Sequence, residues 1–96
     1  MDYKILFTED ALNDLEVVLD FISVDHPSAA DQFGTSLLNH VELLRSLPRI
    51  GVPVPGRPGV RKILHSPVRV YYRLHEESRL VEVLHFWHAA KRDPIL

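Results

Sequence analysis

Tyr3-Lys4-Ile5-Leu6-Phe7-Thr8 is a short aromatic and β-branched run that predicts a strand. Thr8 then stands where a helix N-cap is needed, and Glu9 and Asp10 suit the positive end of a helix dipole. Leu12, Leu15, Leu19 and Ile22 follow at helical spacing, flanked by Ala11 and Val18, with Asp14, Glu16 and Asp20 off the stripe and facing solvent. Pro27 disfavours helical geometry in the residue before it, so this helix stops near Val24-Asp25-His26. Ser28 is placed to cap a second helix, with Asp31 three residues on as in a capping box. Its apolar stripe is Ala30, Phe33, Leu37, Val41 and Leu44, and Pro48 ends it. Two helices joined by a few residues make an antiparallel hairpin, and their stripes need a sheet to cover.

The period changes in the second half. Residues 48–59 hold four of the seven prolines and three of the four glycines, which predicts a connector without regular structure. Val60 to His65, Val68 to His75 and Arg79 to about His88 read as three strands, separated by Ser66-Pro67 and Glu76-Glu77-Ser78. Alternation in the middle strand puts Val68, Val70, Tyr72 and Leu74 against the helices, and Arg69, Tyr71, Arg73 and His75 on the opposite face. In the strand before it, Arg61 and His65 share a face with Ile63. In the last strand Leu80, Leu84 and Phe86 form one side and Val81, Val83 and Trp87 the other, as in a central strand or one covered by a partner. The expected fold class is α+β, β-α-α-β-β-β, with a helical hairpin on one face of a mostly antiparallel sheet, as a single domain over residues 1–96.

Composition adds exclusions. A hydrophobic fraction of 46% and a charged fraction of 25% are ordinary for a globular domain. No apolar run approaches the roughly 20 residues that cross a bilayer, and the N-terminus lacks a basic region leading into an apolar stretch. The absence of cysteine excludes disulfides, thiolate nucleophiles and zinc–cysteine sites, and makes a reducing cytoplasm the expected location. The net charge of −2 hides an asymmetry. Residues 1–44 carry nine acids against Lys4 alone, and residues 45–96 carry ten Lys or Arg against Glu76, Glu77, Glu82 and Asp93. Such a split either neutralises itself within one fold or marks a polyanionic or acidic partner for the basic half.

The Arg69, Tyr71, Arg73 and His75 row has three readings: an ordinary solvated strand face, a phosphate- and base-binding surface, or a protein-docking surface. His85 and His88 have the spacing of a helical metal site, but on a strand residues three apart point to opposite faces, so no metal is expected. A histidine acting as general acid or base is the more natural reading. No paired carboxylates, Gly-rich phosphate loop or G-x-S-x-G elbow is present.

Six segments, in order, resemble the RelE/ParE superfamily of bacterial type II toxins. They are Ala11-Leu12-Asn13-Asp14-Leu15 in the first helix, His26-Pro27-Ser28-Ala29-Ala30 at the corner, and Leu47-Pro48-Arg49-Ile50-Gly51 at the exit from the second helix. Pro58-Gly59-Val60-Arg61-Lys62-Ile63 matches the start of the sheet, and Val68-Arg69-Val70-Tyr71-Tyr72 the family's central strand. Trp87-His88-Ala89-Ala90-Lys91-Arg92-Asp93-Pro94 is similar to the ending of ParE-type plasmid-stabilisation toxins. The resemblance implies a toxin neutralised by a cognate antitoxin, in a hetero-oligomer, with no cofactor and no membrane partner. ParE-type members inhibit DNA gyrase; RelE-type members cut messenger RNA on the ribosome. For a RelE-type enzyme, Arg69 matches the arginine on the scissile phosphate, with His85 or His88 as proton carrier. Arg61, Arg69, Tyr71, Arg73, Lys91 and Arg92 would bind the target or its phosphates, and Trp87 and Phe86 the antitoxin. The catalytic tyrosine of RelE-type enzymes lies several residues past the basic pair, where only Asp93-Pro94-Ile95-Leu96 follow. That favours gyrase inhibition over RNA cleavage. A decayed toxin that keeps only antitoxin binding is the third expectation.

Overall fold

The computed structural model describes residues 2–96, with strand β1 (Lys4–Phe7) leading into helices α1 (Glu9–Ser23) and α2 (Pro27–Glu42). A 3-10 turn (Leu43–Arg45) closes α2, and strands β2 (Val52–Pro53), β3 (Val60–His65), β4 (Val68–His75) and β5 (Leu80–His88) follow. The sheet order is β1-β5-β4-β3-β2. Thr8 caps α1 as expected: its hydroxyl accepts the Ala11 amide at 3.1 Å and also donates to the Leu84 carbonyl, tying the helix start to β5.

Both helices pack on one face of the sheet, α2 burying Leu37 and Val41, and α1 burying Ala11 with Leu15 and Val18 partly buried beside it; Leu12, expected in the α1 stripe, is 52% exposed. Ala11, Leu37, Val41 and Leu44 meet Ile63, Val68, Val70, Tyr72, Val81, Val83 and Phe86 in a continuous core, with Phe7 and Phe86 stacked at 6.2 Å. At the helix crossing Gly34 allows close approach: a methyl there would lie 3.3 Å from the Leu19 side chain.

Four local expectations change. Helix α2 begins at Pro27, not after Ser28, because proline suits the first helical position, where its missing N–H is not needed; His26 is the N-cap and makes no side-chain capping bond. The proline-rich connector holds a strand, β2, pairing Val52 with Lys62 and Pro53 with Arg61 on the sheet edge, where proline is tolerated. Strand β5 starts at Leu80, since Arg79 has φ of 51° and belongs to the turn. The sides of β5 are also redistributed. A bulge interrupts the pairing between Tyr71–His85 and Tyr72–Val83, leaving Leu84 unpaired. Beyond it the alternation is out of phase, so Phe86 joins Val81 and Val83 in the core and Trp87 turns to the other face. Phe86 is 2% exposed and therefore offers no surface to an antitoxin.

Candidate functional site

Strand β4 carries the site because its two faces are chemically distinct. Val68, Val70 and Tyr72 are buried in the core, so Arg69, Tyr71 and Arg73 project from the face away from the helices. Pairing brings Trp87 beside Arg69 and His85 beside Tyr71. His85 and Trp87 meet edge to face, with ring centroids 5.6 Å apart.

This face is not open. The tail after β5 lies across it. The Tyr71 hydroxyl donates to Asp93 Oδ1 at 2.8 Å, and Arg69 stands 3.6 Å from the same oxygen. The Trp87 indole donates to the Arg92 carbonyl, Lys91 Nζ sits 5.0 Å from the Trp87 ring centroid, and Pro94 is buried. Tyr71, expected at the surface, is fully buried under this tail. Burial, followed by its bond to the Asp93 carboxylate, pushes its phenol above the ordinary value. The tail itself presents Lys91 and Arg92 to solvent beside Trp87.

The remaining expected residues scatter. Arg61 lies on the helix side with Ile63 and donates to the carbonyls of Arg49 and Gly51, at 3.2 and 2.7 Å; it staples the connector rather than joining the cationic row. Arg73 stays on the tail side, with its Nε buried and without a partner, because Glu82 across from it bonds His75 at 2.9 Å. His88 pairs across from Val68 and lines a groove with Val17, Phe21, Phe33 and Lys91, on the helix side of the sheet. His85 is held by Asp14 Oδ2 at 2.8 Å. Arg69, His85 and His88 thus do not converge.

Two acids that organise the site escape a sequence reading. Asp14, expected to face solvent, accepts both the Phe86 amide at 3.2 Å and the His85 ring, closing the β5 edge where β1 has ended. Asp93 looks like part of a basic tail but balances Arg69. No group of three or more side chains suited to a metal occurs among the described residues. Among the described residues no helix is long and apolar enough to cross a membrane.

The family model for the ParE toxin of the type II toxin–antitoxin system, parDE, matches residues 5–93. The chain belongs to this family. It is a toxin of the ParE/RelE kind, and its two helices on a five-stranded mixed sheet match the folds of ParE and RelE toxins. Among solved structures, the chromosomal ParDE system from P. aeruginosa is similar at TM-score 0.75 and 22% identity, over 90% of this chain and 95% of that one. A mutant E. coli RelE toxin in the free state is similar at 0.68 and 25%, over 94% and 86%. The intact E. coli RelBE toxin–antitoxin complex gives 0.61 and 29%, over 94% and 99%. No curated protein matches the sequence.

Proposed function

We propose that this ParE-family toxin acts by binding its target rather than by cutting RNA, and that the target is DNA gyrase. The observation that carries this reading is the dispersal of the RelE-type residues. Arg69 faces Asp93, His85 is held by Asp14, and His88 lies on the other side of the sheet. In-line 2′-hydroxyl attack needs a proton acceptor within hydrogen-bond reach of that hydroxyl while the arginine holds the adjacent phosphate. What the tail side offers instead is Trp87 with Lys91 and Arg92, an aromatic and cationic surface of the kind that anchors proteins. A supercoiling assay with purified protein tests the reading: stoichiometric toxin should stop gyrase turnover, and unaffected turnover in excess would overturn it.

RNA cleavage on the ribosome is the second reading, favoured by the 29% identity to the RelBE toxin–antitoxin complex and by the Arg69–Tyr71 pair on one face. Primer extension on translating messenger RNA decides it, new cleavage ends that vanish in Arg69→Ala being the supporting result.

A cognate antitoxin completes the proposal. Helix α1 and its C-cap expose Val17, Phe21 and Val24 at 66, 83 and 81%. Beside them a groove of about 360 Å³ runs between Phe33, Pro67 and Val68, with Lys91 and His88 at its edge. An amphipathic antitoxin segment with acidic flanks fits that chemistry. Growth arrest on expression of the toxin alone, reversed by a partner gene, separates an active toxin from a decayed one.

A further inference from the structure

Helix α2 rests on β3 through a polar contact that the toxin site does not use. His40, in the last turn of the helix, and His65, at the end of the strand, meet with their Nδ1 atoms 2.9 Å apart. The ring centroids are 5.1 Å apart, the separation that two imidazoles reach when their nitrogens face each other head-on. On its far side the His65 ring meets the Ser36 hydroxyl through Nε2 at 3.2 Å, and Phe33 packs edge-on against it at 5.6 Å. Only two ring nitrogens converge here, in line with each other, so the pair suits one shared proton rather than a cation.

Among the described residues no carboxylate hydrogen-bonds either ring. On α2, Asp31 lines the shallow surface next to Ser36 with Gln32, Thr35 and Asn39, and bonds neither ring. On β4, Val68 pairs with His65 and is apolar. On β5 and the tail, His88 and Lys91 line the groove beyond Phe33 and add positive charge when protonated. The histidine–carboxylate pairs among the described residues are elsewhere, at His75–Glu82 and His85–Asp14.

A head-on N–H···N contact requires one nitrogen with a proton and one without. When both rings are cationic, two protons and two charges meet at contact distance. We propose that His40 and His65 form a proton-sharing latch between α2 and β3 that opens when both rings charge in mildly acidic solution. Burial, followed by the neighbouring His40, holds His65 below its ordinary value. For a base lowered on folding, the unfolded chain takes up the proton first. Stability from the latch is therefore present above about pH 6.5 and lost as the pH falls toward the folded value of His65. The consequence reaches the groove, because Phe33 packs on His65 and also forms a groove wall. This does not depend on whether gyrase or the ribosome is the target.

The test is a ring-proton NMR titration of the intact chain from pH 8 to 4.5, with amide exchange followed at both ends of that range. His65 should titrate below the free value of about 6.5 and move back toward it in His40→Gln. Protection factors over Leu37–Glu42 should fall about tenfold more than those in α1 between pH 7.5 and pH 5. Titration of His65 at the free value, unmoved by His40→Gln, or equal loss of protection in the two helices, would overturn the latch. The wild-type titration of His65 stands alone if His40→Gln does not fold, and the comparison of protection in the two helices does not need the variant.

Discussion

At the scale of single residues, the connector after α2 hangs on one phenol. Tyr72 is fully buried, and its hydroxyl donates to the Pro48 carbonyl at 2.8 Å while accepting the Gly51 amide at 2.9 Å. Gly51 is required there: a Cβ would lie 2.4 Å from that hydroxyl and 2.9 Å from the Lys62 carbonyl. Tyr72→Phe leaves one buried donor and one buried acceptor unsatisfied, and should destabilise the protein by about 2 kcal/mol. The checking measurement is urea denaturation, in which the midpoint falls with the slope unchanged. Gly51→Ala should fall further, since backbone and phenol must both give way. None of this is visible in the sequence, where Tyr72 reads only as an apolar position on the helix-facing side. Its side was legible from alternation; its partners, 21 and 24 residues away, were not.

At the scale of elements, the cap of α1 was legible; the start of α2, the exposure of Leu12 and the bulge were not. Thr8 before Glu9-Asp10 and a periodic apolar run states a helix start in local terms, and the structure forms that cap. Thr8→Ala loses the bond to the Ala11 amide and the bond to the Leu84 carbonyl, and should cost about 1 kcal/mol. Thermal unfolding followed by circular dichroism measures it, with Thr8→Ser retaining most of the stability. The bulge in β5 is a different kind of fact. It depends on β4 meeting β5 with one residue in surplus, so no period within β5 signals where the phase changes. Leu80 to His88, read with one alternation, misplaces Phe86. The exposed Val17, Phe21 and Val24 have the opposite origin. They lie off the side that Ala11, Leu15 and Val18 turn to the core, as does Leu12 at 52% exposed, so a helix that needs one buried face has apolar positions left over. Phe21→Ser should leave the unfolding midpoint within experimental scatter while weakening antitoxin binding at least tenfold in calorimetry.

At the scale of the whole molecule, the acidic and basic halves meet at particular points. Asp14 in the acidic half holds His85 in the basic half, while Arg49 pairs with Glu76 and Arg69 with Asp93 inside the basic half. The sheet face that alternation marked as cationic is thus partly neutralised by its own tail. Asp93 carries much of that closure, because one carboxylate oxygen takes the Tyr71 hydroxyl and faces Arg69. Asp93→Ala removes the acceptor of Tyr71 and the counter-charge of Arg69 together, and both changes favour release of the tail. Since Trp87 is bound to the Arg92 carbonyl and lies beneath Lys91, its fluorescence reports that release directly. The expected outcome is a red-shifted Trp87 emission, faster tryptic cleavage after Lys91 and Arg92, and a loss of global stability of no more than about 1 kcal/mol, because the ion pair is largely solvated. Asp93→Asn retains an acceptor for Tyr71 without the charge and should fall between the two. Unchanged emission and cleavage in Asp93→Ala would mean that Pro94 and the Trp87 contacts hold the tail alone, and the cationic row would then stay covered whatever the charge at residue 93.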